Sequence, residues 1–183
     1  ESPSNPMLDL VDISAVADMA HSAGAKVIID NVFATPIAQK PLDLGADIVI
    51  YSATKHIDGQ GRVLGGAVLA DEDFIKERML KFYRQTGPSI SPFNAWVLMK
   101  SLETIGLRVE RQAQTAATLA AWLEAQPGIA ELRYPGLPSH PQYDLAQRQM
   151  SNGGTLLTVT LAGGRTSAFA TLNALRLIDI SNN

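Results

Sequence analysis

Lys26-Val27-Ile28-Ile29-Asp30 and Asp47-Ile48-Val49-Ile50-Tyr51-Ser52-Ala53-Thr54-Lys55 are the stretches that decide the fold. Each holds a short β-branched run, Val27 to Ile29 and Ile48 to Ile50, the pattern of a strand covered on both faces, and stops at a residue able to do chemistry. Working outward, Asp12 is placed to cap a helix over about 12–23, with Ile13, Val16, Ala17 and Ala20 on one face and Gly24 ending it. Pro36 and Pro41 mark an irregular loop, and residues 41–44 form one helical turn stopped by Gly45. Glycines 59, 61, 65 and 66 flank a loop that leads into a third strand over 67–69. Helix–strand–helix–strand–strand predicts an α/β fold with a mostly parallel sheet flanked by helices.

Downstream, Asp71 or Asp73 caps a helix running toward Arg84, which breaks at Gly87-Pro88. Further helices are predicted over 92–102 and about 107–125, the second stopped by Pro127-Gly128. The texture then changes to strand 129–133, helix 142–150, strand 155–161 and helix 166–175. This reads as part of a smaller C-terminal α/β domain. The expected division is residues 1–106 for the large domain, and 107–183 for a linking helix and the beginning of the small one.

Composition narrows the function. The 183 residues are 46% hydrophobic, enough for a packed core, and carry a formal net charge of −3. Basic and acidic residues are mixed along the chain, so no basic run argues for nucleic acid. The chain has no cysteine, which excludes disulfides and thiol chemistry. His21, His56 and His140 are isolated and not at metal-ligand spacing. The nearest approach to a membrane span, residues 115–122, is too short and leads into Glu124. Trp96 and Trp122 lie in helical segments and read as core or interface. No signal peptide is visible in Glu1-Ser2-Pro3-Ser4-Asn5-Pro6, and the lack of an initiator Met suggests a missing N-terminus. The expected compartment is the cytoplasm.

The chemistry sits at the two strand ends. In open α/β sheets, ligands lie outside the carboxyl ends of strands. Asp30 supplies a carboxylate there, Ser52 and Thr54 supply hydroxyls, and Lys55 supplies an amine. Residues two apart on an extended backbone point the same way, so Ser52 and Thr54 can form an anion cradle with backbone N–H groups. A lysine at a buried strand end is a plausible nucleophile toward an aldehyde. A carboxylate against a pyridine nitrogen keeps that nitrogen protonated and its ring electron-withdrawing. Carboxylate, hydroxyl pair and lysine are together the parts that hold pyridoxal 5′-phosphate (PLP). Each has an ordinary alternative: a surface lysine, hydroxyls tying down a turn, and an Asp that caps the following turn with Asn31. The Gly59-Gln60-Gly61-Arg62 and Gly65-Gly66 cluster is not a P-loop, because no Gly-Lys-Ser/Thr follows.

These elements in combination resemble the PLP-dependent Cys/Met metabolism (trans-sulfuration) enzymes. The resemblance rests on Glu1-Ser2-Pro3-Ser4-Asn5-Pro6, Ile29-Asp30-Asn31-Val32-Phe33-Ala34-Thr35-Pro36, Leu42-Asp43-Leu44-Gly45-Ala46-Asp47 and Tyr51-Ser52-Ala53-Thr54-Lys55. Within that family, residues 31–36, 56–66 and 179–183 are most similar to the O-succinylhomoserine sulfhydrylase branch. The resemblance implies a fold-type I PLP-dependent transferase. It implies that Lys55 carries the cofactor covalently, Asp30 meets its ring nitrogen, Ser52 and Thr54 bind phosphate, and Asn5 bonds the phenolic oxygen. Asn183 would lie beside the substrate carboxylate, and other family site residues would precede Glu1 or follow Asn183. The implied reaction is γ-replacement on an activated homoserine with sulfide, giving homocysteine in methionine biosynthesis, in a homotetramer whose sites are shared between subunits. Cystathionine γ-synthase or γ-lyase activity is the alternative within the family. A non-catalytic α/β binding or assembly module is the alternative outside it.

Overall fold

The computed structural model describes residues 1–179 and 181. Residues 28–30 (β1), 48–52 (β2) and 66–70 (β3) make one sheet in the order β1-β2-β3. β1 and β2 run parallel, with Ile28 opposite Ile48 and Asp30 opposite Ile50. β3 returns antiparallel to β2, with Ser52 opposite Gly66. The described sheet is therefore mixed: 53–65 hold only one helical turn, without the long helix of a parallel crossover. An antiparallel edge strand on an otherwise parallel sheet is common in α/β folds.

Helix α1 (Ile13–Ser22) packs beside this sheet, and its Asp12 cap accepts from the Ala15 amide at 3.0 Å. Ile13 and Ala17 enter the main core with Val27, Ile29, Val49, Tyr51, Ala53, Val97, Ile105 and Val109. β1 is covered on one side only, and Ile28 is 57% exposed. The stretch that Pro36 and Pro41 marked as an irregular loop holds a short helix α2 (Thr35–Ala38). The proline sits where a helix start tolerates it. The turn over Pro41–Leu44 ends at Gly45, whose φ of 100° is left-handed.

α3 (Glu72–Phe74), a wide π-type segment (Ile75–Met79) and α4 (Leu80–Thr86) form a continuous helical run, capped by Asp71. α5 (Pro92–Leu102) has the expected bounds, and α6 (Ile105–Glu124) starts two residues earlier than expected. β4 (Ile129–Arg133) and β5 (Thr158–Leu161) form a separate antiparallel pair. α7 (Tyr143–Gln149) lies between them in the chain and packs its Ala146 with Leu10, Ala34 and Ala38, and α8 (Gly164–Ala174) follows β5 and packs against it. Helix α6 joins two cores. Its Ile105 and Val109 belong to the sheet core, and its Ala116 and Ala120 pack with Tyr134 under β4. Trp96 and Trp122 are exposed on the described chain, at 51% and 59%, and so are not core.

Candidate active site

The parallel register brings the two strand ends side by side. The Asn31 amide donates to the Ile50 carbonyl at 3.1 Å, so Asp30 ends β1 next to the last residues of β2. At the mouth formed there, Asp30, Ser52, Thr54 and Lys55 are all half-buried. The Ser2 amide donates to the Asp30 carbonyl at 3.2 Å, which lays the N-terminal segment against the same edge. Asn5 is exposed in the turn that follows, a turn closed by the Leu8 amide donating to Ser4 at 2.8 Å.

Asp30 does part of what an ordinary turn aspartate does: its Oδ1 accepts from the Val32 amide at 3.0 Å. Oδ2 has no hydrogen bond among the described residues and is free to accept another donor. Asn31, the next residue, is fully buried. Its amide nitrogen donates to the Thr35 and Gln39 carbonyls at 3.2 and 3.0 Å and to the Tyr51 hydroxyl at 2.9 Å. Its Oδ1 accepts from Gln39 Nε2 at 2.8 Å. The residue beside Asp30 is thus a cross-strand anchor between β1 and β2. Burial pushes the Tyr51 phenol upward, and the hydrogen bond from Asn31 opposes that rise.

β2 stops at Ser52, and residues 53–57 form a single wide helical turn of π type. Such turns recur at functional sites. The extended-backbone argument for Ser52 and Thr54 therefore does not apply to Thr54, which lies in the turn. The Thr54 hydroxyl accepts from the Gly65 amide at 3.2 Å and approaches the Gly65 carbonyl at 3.4 Å. The Ser52 hydroxyl makes no hydrogen bond with the described residues. Of the pair, Ser52 has the uncommitted hydroxyl.

Lys55 interrupts the turn, with φ −83° and ψ −116°. Its neighbour His56 is half-buried, and its Nε2 lies 2.7 Å from the Thr155 hydroxyl, 99 residues along the chain. Its Nδ1 is buried without a partner. Burial is the main cause that holds the His56 imidazole below its ordinary value. The Val32 backbone opposes that shift without reaching hydrogen-bond geometry, and the Arg108 charge reinforces it.

Below the turn lies a polar network that sequence reasoning did not single out. Asp58 has no solvent exposure. It accepts from the Arg62 amide at 2.7 Å, the Gln60 amide at 3.3 Å and Arg62 Nε at 3.0 Å. Burial alone would raise the Asp58 carboxyl, but the donors from Arg62 and Gln60 and the Arg62 charge outweigh it and hold it below the usual range. Arg108 of α6 donates to the His56 and Ile57 carbonyls at 2.8 and 3.1 Å. No local signal marks Arg108, which acts across about fifty residues. The glycine cluster around Gly59, read from the sequence as permitting tight turns and close packing against the site, was the nearest pointer.

The residues present fit PLP by the chemistry of the donor set: an uncommitted carboxylate oxygen, an uncommitted hydroxyl and an amine at adjacent strand ends. Asn183 and Asn182 lie outside the described residues, as does Ile180.

Comparison with known proteins gives a consistent result. A family model described as Cys/Met metabolism PLP-dependent enzyme matches residues 1–183. An O-succinylhomoserine sulfhydrylase of Mycobacterium tuberculosis is 56% identical over 187 residues, covering 100% of this chain and 46% of that protein. One from Pseudomonas aeruginosa is 50% identical, covering 100% of this chain and 45% of that protein. The chain spans about half the length of the curated relatives it matches. Among solved structures, cystathionine gamma synthase from Xanthomonas oryzae pv. oryzae, in complex with aminoacrylate and cysteine, superposes with a TM-score of 0.94 at 34% identity. That match covers 98% of this chain and 46% of the other.

Proposed function

The chain belongs to the Cys/Met metabolism PLP-dependent enzyme family, and from that premise we propose that the protein catalyses γ-replacement on O-succinylhomoserine with sulfide, giving homocysteine. The observation that supports this most is the juxtaposition at the strand ends, where Asp30 and the Ser52–Lys55 segment share one edge of a parallel pair. The choice of sulfhydrylase is supported by the names of relatives at 50% identity and above.

When bound, PLP supplies an aldehyde for covalent attachment and a ring that accepts electron density from the substrate. Lys55 Nζ would be the attachment point, and its amine would move protons at the substrate Cα and Cβ. Asp30 Oδ2 holds a proton on the ring nitrogen. The Ser52 hydroxyl donates to phosphate, and Thr54 shapes the same turn through Gly65 while offering its hydroxyl as a weaker second contact. Asn5 is the proposed partner of the phenolic oxygen. The division into a large domain over 1–106 and a linking helix plus small domain over 107–183 belongs to the same proposal. It is supported by the two cores that α6 joins.

A homotetramer with shared sites is also part of the proposal. Exposed Phe82, Phe93, Trp96, Leu107 and Trp122 support a surface that is covered in the assembled enzyme. No helix among the described residues is long and apolar enough to cross a membrane. A cytoplasmic site of methionine biosynthesis is the expected setting.

The test is product analysis with full-length protein and O-succinylhomoserine. Homocysteine formed from sulfide faster than cystathionine from cysteine supports the proposal. Cystathionine without homocysteine assigns the protein to synthase chemistry, and ketoacid release without a nucleophile assigns it to lyase chemistry. Absence of any product, with no PLP bound, overturns the enzyme reading.

A further inference from the structure

We propose that Arg108 is a positioning residue for Lys55, working through the backbone of the turn that carries it. The proposal rests on the reading that Lys55 holds the cofactor.

The geometry begins with the interrupted turn. The Asp58 amide donates to the Ala53 carbonyl at 2.8 Å and the Gly59 amide to the Lys55 carbonyl at 2.7 Å, after which the chain turns away. A helix that stops there leaves its last carbonyls without partners from its own backbone. The carbonyls of His56 and Ile57 instead accept from Arg108 Nη1 and Nη2, at 2.8 and 3.1 Å. Nη2 also donates to the Ser101 carbonyl at 3.0 Å, and Nε donates to the Thr104 hydroxyl at 3.1 Å. The guanidinium is therefore fixed by the end of α5 and the start of α6, and it fixes the two residues that follow Lys55. A rigid planar fork can do this, whereas a single ammonium cannot satisfy both carbonyls in the same geometry.

Gly59 is an independent sign that the loop is built around this arginine. A Cβ at Gly59 would come within 1.9 Å of Arg108 Nη1, and its φ is +73°. Asp58 closes the same loop from the other side. It binds Arg62, whose Nη2 reaches the Ser101 hydroxyl at 2.6 Å, and that hydroxyl donates to the Val97 carbonyl at 2.7 Å. Residues 56–62 are thereby tied to α5 and α6 at several points, all of them within a few residues of Lys55. The Lys55 side chain leaves from a backbone whose direction Arg108 sets.

The test uses full-length protein in three variants: Arg108→Lys, Gly59→Ala and Thr104→Val. Arg108→Lys keeps the charge and loses the fork. Gly59→Ala displaces the guanidinium, and Thr104→Val removes the partner of Nε together with the donor to the Ser101 carbonyl, at an exposed position, where substitutions rarely disturb folding. The readouts are the rate at which PLP attaches to apo protein, the pH midpoint of the visible absorbance band, and the kcat against KM split. Misplacement of a reacting group by about 1 Å costs on the order of a hundredfold. The expectation is attachment slowed roughly 10- to 100-fold in Arg108→Lys and Gly59→Ala. It includes a shifted pH midpoint, a fall in kcat larger than any rise in KM, and a smaller change of the same kind in Thr104→Val. If Arg108→Lys fails to fold, Gly59→Ala and Thr104→Val decide. Wild-type attachment rates and pH midpoints in the folded variants overturn the inference while leaving the proposed function standing. A wild-type protein that forms no Lys55 adduct overturns the proposed function itself, and this inference with it.

Discussion

Replacing Asn31 by Ala should cost about 2–6 kcal/mol of stability. The estimate follows from what Asn31 satisfies. The side chain is fully buried and touches four groups: the Thr35 and Gln39 carbonyls, the Tyr51 hydroxyl and Gln39 Nε2. Gln39 is itself buried, and its Nε2 keeps a second acceptor in the Ser2 carbonyl at 3.0 Å. An amide carries only two hydrogens, so its three acceptors share them. Truncation therefore leaves about two groups without a partner, each costing roughly 1–3 kcal/mol when buried. Urea denaturation of the full-length apo protein measures the loss. Gln39→Leu alone should also destabilise, while Asn31→Ala combined with Gln39→Leu should cost less than the sum by about 1 kcal/mol or more, because both residues serve one network. The Tyr51 phenol should titrate higher in Asn31→Ala, since the hydrogen bond that opposes its burial is gone. A loss under about 1 kcal/mol, or additivity within about 0.5 kcal/mol, refutes the reasoning.

Other outcomes follow from the same geometry. Gly153→Ala should destabilise by about 2 kcal/mol or more, because a Cβ there meets the Gly136 backbone at 2.6 Å, and crowding of backbone cannot be relieved by a rotamer change; thermal denaturation checks it. Burial is the first cause that holds both His56 and His140 below their ordinary value. Their unfolded forms bind protons first, so stability is full above about pH 6.5 and falls as pH drops below it. His140→Gln should flatten that dependence in denaturation curves taken between about pH 7 and 5, and an unchanged slope contradicts it. Lys55→Ala should fold and lose nearly all turnover, read by circular dichroism and by product formation; retained turnover refutes the role given to Lys55.

The strand ends were legible because their chemistry and their β-branched runs lie in the same few residues. Asp12, Gly45 and Pro92 also announced their helix boundaries through local caps and stops. Thr35 was opaque for a physical reason. It adopts φ 61°, a conformation rare for a β-branched residue, and starts α2 in a stretch whose prolines read as loop. The antiparallel return of β3 is set by the pairing of Ser52 with Gly66, which strand propensity does not encode. The wide turn at Lys55 was hidden as well, so Thr54 was expected to extend the strand when it instead bonds the Gly65 backbone. Arg108 was the least legible of all. Its role depends on α6 crossing beneath a turn about fifty residues upstream, and only the empty side of Gly59 hinted that something passes there.

The most direct measurement is borohydride reduction of the full-length protein in the presence of PLP, followed by peptide mapping. The account predicts a single reduced pyridoxyl adduct, on Lys55, and loss of visible absorbance. An adduct on another lysine, or none, contradicts it.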